Sequence, residues 1–357
     1  MTYEILSVFD LHNTAAIAAD ENKILAVNVS ASKLFPGISA GDAVNQYFPE
    51  YGDMTAKALP AASVVQCAMG SFGFTVSSVG DINVITISLQ NQEEKNSFDE
   101  FAKKVSYLLK KDLTTGKIAM SVLQTHIEKF GNPQSEKYGA VLSHSQHALL
   151  RTATNLHEFR NETGIDKNNY FNIILALNEL VGSINSFLGK DRKPIRFETD
   201  LKIFMVKGNR YEIESMFLNI ISNSLKFTQN DADICITAQR RAKTVMISVT
   251  DNGEGIPQEI MAMLFRSYII HKDIPSPKDG LGIGLAAAHN TAKRHGGKLF
   301  ITSDGGTQVY VILPETELPT VLREERLPYK SASRSSNILA GLSEVLGYEN
   351  YSHRYVD

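Results

Sequence analysis

Leu218-Asn219-Ile220-Ile221-Ser222-Asn223-Ser224-Leu225-Lys226-Phe227-Thr228 is the stretch on which the fold turns. Leu218, Ile221 and Leu225 recur at three- and four-residue steps, so the segment reads as a helix with these side chains facing a core. Asn219, Asn223 and Lys226 fall at i, i+4 and i+7 and share a different face. Amide oxygens suit a hard cation such as Mg²⁺, and a lysine beside them meets phosphate. Polar residues on a helix face also arise from simple solvent exposure, so this stretch takes its meaning from the segments around it.

Downstream comes a strand, Thr244–Val249, and then Asp251-Asn252-Gly253-Glu254-Gly255-Ile256-Pro257. A carboxylate at a strand end accepts a hydrogen bond from an exocyclic amine, and the glycines let backbone approach a flat ring. In isolation the segment also reads as a turn or calcium-loop sequence. Leu264-Phe265-Arg266-Ser267 closes a short helix. Gly280-Leu281-Gly282-Ile283-Gly284-Leu285 opens the helix Ala286–His295, and a glycine-rich turn at a helix N-terminus presents N–H groups to phosphate. A dinucleotide fold would place a strand directly before those glycines, whereas here a polar loop, His271 to Asp279, precedes them. Strands Lys298–Thr302 and Thr307–Leu313 complete a sheet.

In this order the four elements resemble the N, G1, F and G2 boxes of the ATP-binding domain of sensor histidine kinases, over about residues 170–314. The resemblance implies an α/β sandwich of the Bergerat (GHKL) type, a mixed sheet with helices on one face. It implies that Asp251 contacts adenine, Asn223 holds Mg²⁺ and Lys226 meets phosphate. Asn219, Gly253, Gly255, Phe265, Gly280, Gly282 and Gly284 complete the ATP site, with His271 to Asp279 as its lid. Gyrase, mismatch-repair and chaperone ATPases of the same fold carry a glutamate one turn before the metal-binding Asn, as base for an attacking water. Asn219 stands there in this chain. That substitution argues against simple hydrolysis and for transfer to another group, or for binding without chemistry.

Upstream, residues 96–161 carry a helical rhythm broken at Gly131-Asn132-Pro133. The two helices form an antiparallel hairpin. The apolar side of the second holds Tyr138, Val141, Leu142, Leu149, Leu150 and Leu156. A lone hairpin buries one stripe only, so pairing into a four-helix bundle within a homodimer is its natural completion. In the family a histidine followed by an acid sits on the first helix. Phe101 to Leu113 resembles that helix, with Tyr107 in the histidine position and Leu108 in the acid position. His157-Glu158-Phe159-Arg160-Asn161 matches the residue types better. Only 66 residues separate His157 from Asn223, too few for a full second helix before the ATP domain, and Thr163-Gly164 stops the helix at once. His126, His144 and His147 lack a following acid. Each histidine, His157 included, reads as an exposed helix residue, and His157 stays a candidate phosphoacceptor beside the Tyr107 position.

Residues 1–91 are rich in short strands. Ala15–Ala19 and Ile24–Val29 flank the turn cluster Asp20-Glu21-Asn22-Lys23, and a second pair turns at Gly80-Asp81. The segment from Ala16 to Phe35 resembles the opening of a PAS sensor domain, although nothing in it names a ligand. The chain is therefore expected to be a multidomain α+β protein: a PAS-like domain at 1–91, a dimerisation hairpin at 92–164, an ATP-binding domain at 165–314 and a tail at 315–357. In the tail the helical candidate is Asn337–Leu346. With 357 residues, 43% of them hydrophobic, the chain can bury such cores, and a net charge of −3 gives no case for nucleic acid. No apolar run is long enough to span a bilayer, there is no signal peptide, and Cys67 and Cys235 lie far apart. These features point to a reduced, cytoplasmic setting. The resemblance implies ATP and Mg²⁺ as ligands and a response regulator or partner kinase as partner. Two versions stay open: an active protein-histidine kinase, or a degenerate ATP-binding regulator or scaffold.

Overall fold

The computed structural model of the protein describes residues 6, 9, 14–57, 59–67, 70–87, 109, 113, 116, 120, 122–123, 125–127, 129–160, 169–189, 192–228, 232–257, 261, 264, 283–316 and 331–352. Tyr107, Phe265, Gly280, Gly282 and the segment 271–279 lie outside these residues.

The N-terminal strands are β1 (Ala15–Ala19), β2 (Ile24–Val27), β3 (Ala61–Cys67), β4 (Gly70–Val79) and β5 (Ile82–Ile87), antiparallel in the order β2-β1-β5-β4-β3. Asp20 shapes the first turn by accepting N–H bonds from Asn22 and Lys23. Three short helices, α1 (Val29–Leu34), α2 (Val44–Tyr47) and α3 (Tyr51–Thr55), fill the β2–β3 connection. Buried Asn28 ties this region together: its side chain accepts from Ala16 N–H and, as the N-cap of α1, from Ala31 N–H. Phe48, Tyr51 and Phe74 are fully buried between sheet and helices.

Helix α4 (Pro133–Arg160) starts where Asn132 caps the Gln134 and Ser135 N–H groups, and the described residues between 109 and 130 are helical as well. A small sheet pairs β6 (Tyr170–Asn172) with β8 (Met205–Lys207), and α5 (Ile173–Phe187) follows β6 directly. Strand β7 (Arg196–Glu198) leads through β8 to α6 (Arg210–Phe227). Then come β9 (Cys235–Arg241), β10 (Thr244–Asp251), α7 (Gly284–Arg294), β11 (Lys298–Ser303) and β12 (Thr307–Pro314). These strands run β11-β12-β10-β9-β7, with β7 parallel to β9 and the other pairs antiparallel. Leu177, Leu180, Ile213, Phe217, Ile221 and Val249 share one core between the helices and one face of the sheet.

The two sheets are one. Ala62 pairs with Ile301 and Ala61 with Thr302, so β3 and β11 join edge to edge in a ten-stranded sheet. Ser63 Oγ adds a bond to Leu299 O at 2.9 Å. Met246, Phe300 and Tyr310, on the sheet face away from α5–α7, belong to the N-terminal core.

The tail helix departs from expectation. It is α8, Ser331–Gly341, rather than 337–346, and turns carry residues 342–346. Its first turns lack apolar periodicity, yet Ser336 is buried against His147. At its end a Cβ on Gly341 would stand 3.0 Å from the Leu218 side chain, so any larger residue would have to displace it. Ile338, Leu339, Leu342 and Tyr351 then enter the core of α5 and α6. This docking also corrects the histidine reading. His147 is buried, with Nδ1 2.8 Å from Ser143 O and Nε2 3.2 Å from Ser336 Oγ, and half-buried His144 reaches Ser343 O. His126 and His157 are exposed as expected.

Candidate nucleotide site

Helix α6 begins at Asn209, whose side chain caps Tyr211 N–H. His295 supports that cap from α7's end: its Nε2 accepts Asn209 N–H at 3.2 Å, and its Nδ1 lies 2.8 Å from Thr291 O. A carbonyl only accepts, so Nδ1 carries the proton and the ring is neutral. Burial pushes its pKa down in the same sense. The apolar residues Leu218, Ile221 and Leu225 are buried as their spacing requires.

Asp251, the last residue of β10, is buried next to the C-terminal end of α6. Its Oδ1 accepts N–H bonds from Gly253 (3.1 Å) and Thr307 (3.3 Å). Its Oδ2 accepts the Ser224 hydroxyl at 2.7 Å. Both glycines after it are needed. A Cβ on Gly253 would lie 2.9 Å from Phe227 O, and Gly255 has φ +75° with Ser303 Oγ 2.7 Å from its Cβ position. Ser303 Oγ accepts Ile256 N–H and donates to Gly306 O, fixing the turn.

At the other end of the site stand Asn219, Asn223 and Lys226. Gly284 opens α7, and its Cβ position is 3.5 Å from Asn219 Oδ1, so the glycine-rich segment ends beside the asparagine face. Asn223 is half-buried. Asn219 is buried, not solvated, and donates to Asn155 Oδ1 on α4 at 2.9 Å. Lys226 Nζ pairs with Glu344 Oε2 at 3.3 Å. Helix α4 thus runs along α6 with Glu158 on Ser215, Asn155 on Asn219 and Arg151 on Ser222, while Leu156 packs on Ile283. His157 sits in that same turn of helix.

The tail is fastened by charge as well. Arg151 reaches Gly341 O, and burial lowers its pKa against the pull of Glu344. Arg334 and Arg210 both bond Glu179 and Glu214. Burial pushes the Glu179 carboxyl up, but the hydrogen bonds from both arginines outweigh it and hold it below the usual range. A cavity of about 30 Å³ remains between α4, α6 and α8, with room for water rather than a nucleotide.

Of the predicted site residues, Asn219, Asn223, Lys226, Asp251, Gly253, Gly255 and Gly284 come together around α6. Ser224, Thr307, Asn155 and Glu344 belong to the same surroundings, and nothing in their residue types marked them. A serine one position beyond Asn223 falls off the face that Asn219 and Asn223 share.

The site residues from Asn219 to Gly284 lie within a recognisable ATPase domain. Residues 208–317 match the family of histidine kinase-, DNA gyrase B-, and HSP90-like ATPases. The match covers this domain, and sensor kinases are among the proteins the chain is similar to. It is similar to the alginate biosynthesis sensor protein KinB of Pseudomonas aeruginosa, 24% identical over 66% of this chain and 40% of KinB. It is 25% identical to the adaptive-response sensory kinase SasA of Prochlorococcus marinus (strain MIT 9313), over 61% of this chain and 59% of SasA. The chain thus spans less than two thirds of either relative. Among solved structures, the catalytic domain of histidine kinase ThkA aligns over 42% of this chain and 98% of that domain, with 24% identity and a TM-score of 0.37.

Proposed function

We propose that the protein binds ATP with Mg²⁺ and acts in two-component signal transduction as a sensor histidine kinase homologue. The observation that carries this reading is the convergence of the Asp251 carboxylate, its two glycines and the Asn219–Lys226 face of α6 inside the matched domain. Asp251 Oδ2 accepts the adenine amine, Asn223 holds Mg²⁺ together with the phosphates, and Lys226 faces the phosphates. The N-terminal strand order β2-β1-β5-β4-β3, with helices between β2 and β3, supports a PAS-like input domain. Exposed Val122, Phe130, Tyr138, Leu142 and Leu149 on the helical pair support pairing with a second copy. No described helix is long and apolar enough to cross a membrane. A response regulator is the partner class this reading implies.

A second reading, a regulator that binds ATP without phosphorylating itself, is favoured by His147, which is buried, and His144, which is engaged by the tail. His157 is the phosphoacceptor candidate of the first reading, because its helical turn carries Asn155 onto Asn219. Incubation with γ-labelled ATP and Mg²⁺, followed by acid treatment and site mapping, separates the two. Acid-labile label at His157 establishes the kinase reading. Nucleotide binding without any label establishes the second. Undiminished binding in both Asp251→Asn and Asn223→Ala would sink the site assignment.

A further inference from the structure

We propose that Ser224 is a positioning residue that sets the purine preference of the site by holding Asp251 in one orientation. This rests on the reading of Asp251 as the group that meets the base. An ionised carboxylate has about four lone-pair positions. Three are already taken: two on Oδ1 by Gly253 and Thr307 N–H, and one on Oδ2 by the Ser224 hydroxyl at 2.7 Å. Among the described residues nothing takes the remaining position, on Oδ2, and it is the one left for a ligand donor. The two backbone bonds fix where Oδ1 lies. The Ser224 bond fixes the rotation of the carboxylate plane, and so fixes where the free lone pair of Oδ2 points.

Ser224 itself has little freedom. It is buried in α6, and its carbonyl accepts the Thr228 hydroxyl at 2.7 Å in the last turn of the helix. Its single hydroxyl proton is committed to Asp251. The carboxylate therefore offers a ligand an acceptor and no donor. A base with an amine at this point satisfies it, and a base with a carbonyl oxygen places acceptor against acceptor. A buried acceptor left unpaired or opposed discriminates strongly, because no water compensates it.

The test is competition binding of ATP, purine riboside triphosphate (which lacks the 6-amine) and ITP (6-oxo) to the full chain and its variants. Wild-type protein should favour ATP over both by roughly 10-fold or more, the size of one hydrogen bond to a charged group. Ser224→Ala should compress that ratio to within about 3-fold, while Ser224→Thr, which keeps the hydroxyl, restores it. A merely structural role for Ser224 would lower thermal stability or weaken all three ligands equally without moving the ratio. Ser224→Cys, nearly the same shape with a weak donor, serves where the alanine variant does not fold, and its ratio should fall as well. An unchanged ratio in the folded alanine or cysteine variant overturns the inference. If Asp251→Asn collapses the ratio while the Ser224 variants keep it, the role of Asp251 stands and that of Ser224 fails. If wild type shows no preference, or Asp251→Asn leaves it intact, the reading of Asp251 fails first.

Discussion

Asp251 and Lys226 both meet helix α6 near its C-terminal end, yet different parts of the chain hold them. Among the described residues, the groups that bond the Asp251 carboxylate belong to residues 224–307, inside the ATPase match. Lys226 is paired with Glu344, 118 residues further on, and Asn219 with Asn155, 64 residues earlier. Both partners lie outside the matched domain. On the proposed reading, the base end of the site is preorganised by its own domain, whereas the phosphate end is furnished by α4 and the tail. On that reading, base recognition stays constant while the phosphate end responds to how the flanking segments are docked.

The largest test removes the tail's anchor. Tyr351 is fully buried and donates to Leu339 O at 2.8 Å. Tyr351→Ala should cost about 3–5 kcal/mol of stability, the usual range for truncating a buried aromatic. Calorimetry should show this loss with the base preference retained; loss of the preference as well would mean that the two ends are not separately held.

Acidification attacks the scaffold both ends share. Burial pushes His289 on α7 down to about 4, and His295 is lowered too. Folding therefore keeps these rings neutral while the unfolded chain protonates near its ordinary value of about 6.5. Stability is full above that value and falls as pH drops from there toward about 4, by on the order of 3 kcal/mol for His289. Glu179, held below the usual carboxylate range, adds a loss at lower pH. Denaturant midpoints measured across pH 4–7, with His289→Gln compared with wild type, check this. A midpoint that does not fall on acidification counts against it.

Asp251→Asn breaks the base end alone. The expected loss is about 10- to 100-fold in ATP affinity, read by titration calorimetry, with the tail's hydrogen-exchange protection unchanged.

The smallest effect sharpens the phosphate end. Glu344→Gln removes a partly exposed ion pair that competes for Lys226. ATP affinity should rise by about 2- to 5-fold, the range such pairs support. A fall in affinity would show that Glu344 assists rather than competes.

Legibility in the sequence divides along the same line. Strand β10, the helix at Leu218–Phe227 and the turn glycines were legible, because periodicity and turn chemistry act over a few residues. The tail helix was misplaced because Ser336 is buried against His147 of α4, not by any apolar rhythm of the helix's own first turns. His147 read as exposed for a related reason, since its partner Ser336 is 189 residues away. The joining of β3 to β11 was invisible in principle. Edge pairing uses backbone N–H and C=O groups that every strand possesses, so no side chain announces it.

The sequence by itself determined the order of the boxes, the identity of Asp251, Asn223 and Lys226, and the helix that displays them. Those features need only hydrophobic spacing, a strand-end carboxylate and glycines where side chains would clash. Tertiary structure decided that Ser224 bonds Asp251, that Asn155 and Glu344 engage Asn219 and Lys226, and that two sheets become one. These are long-range pairings between common polar groups or bare backbone, and a pairing of that kind exists only once the chain has folded.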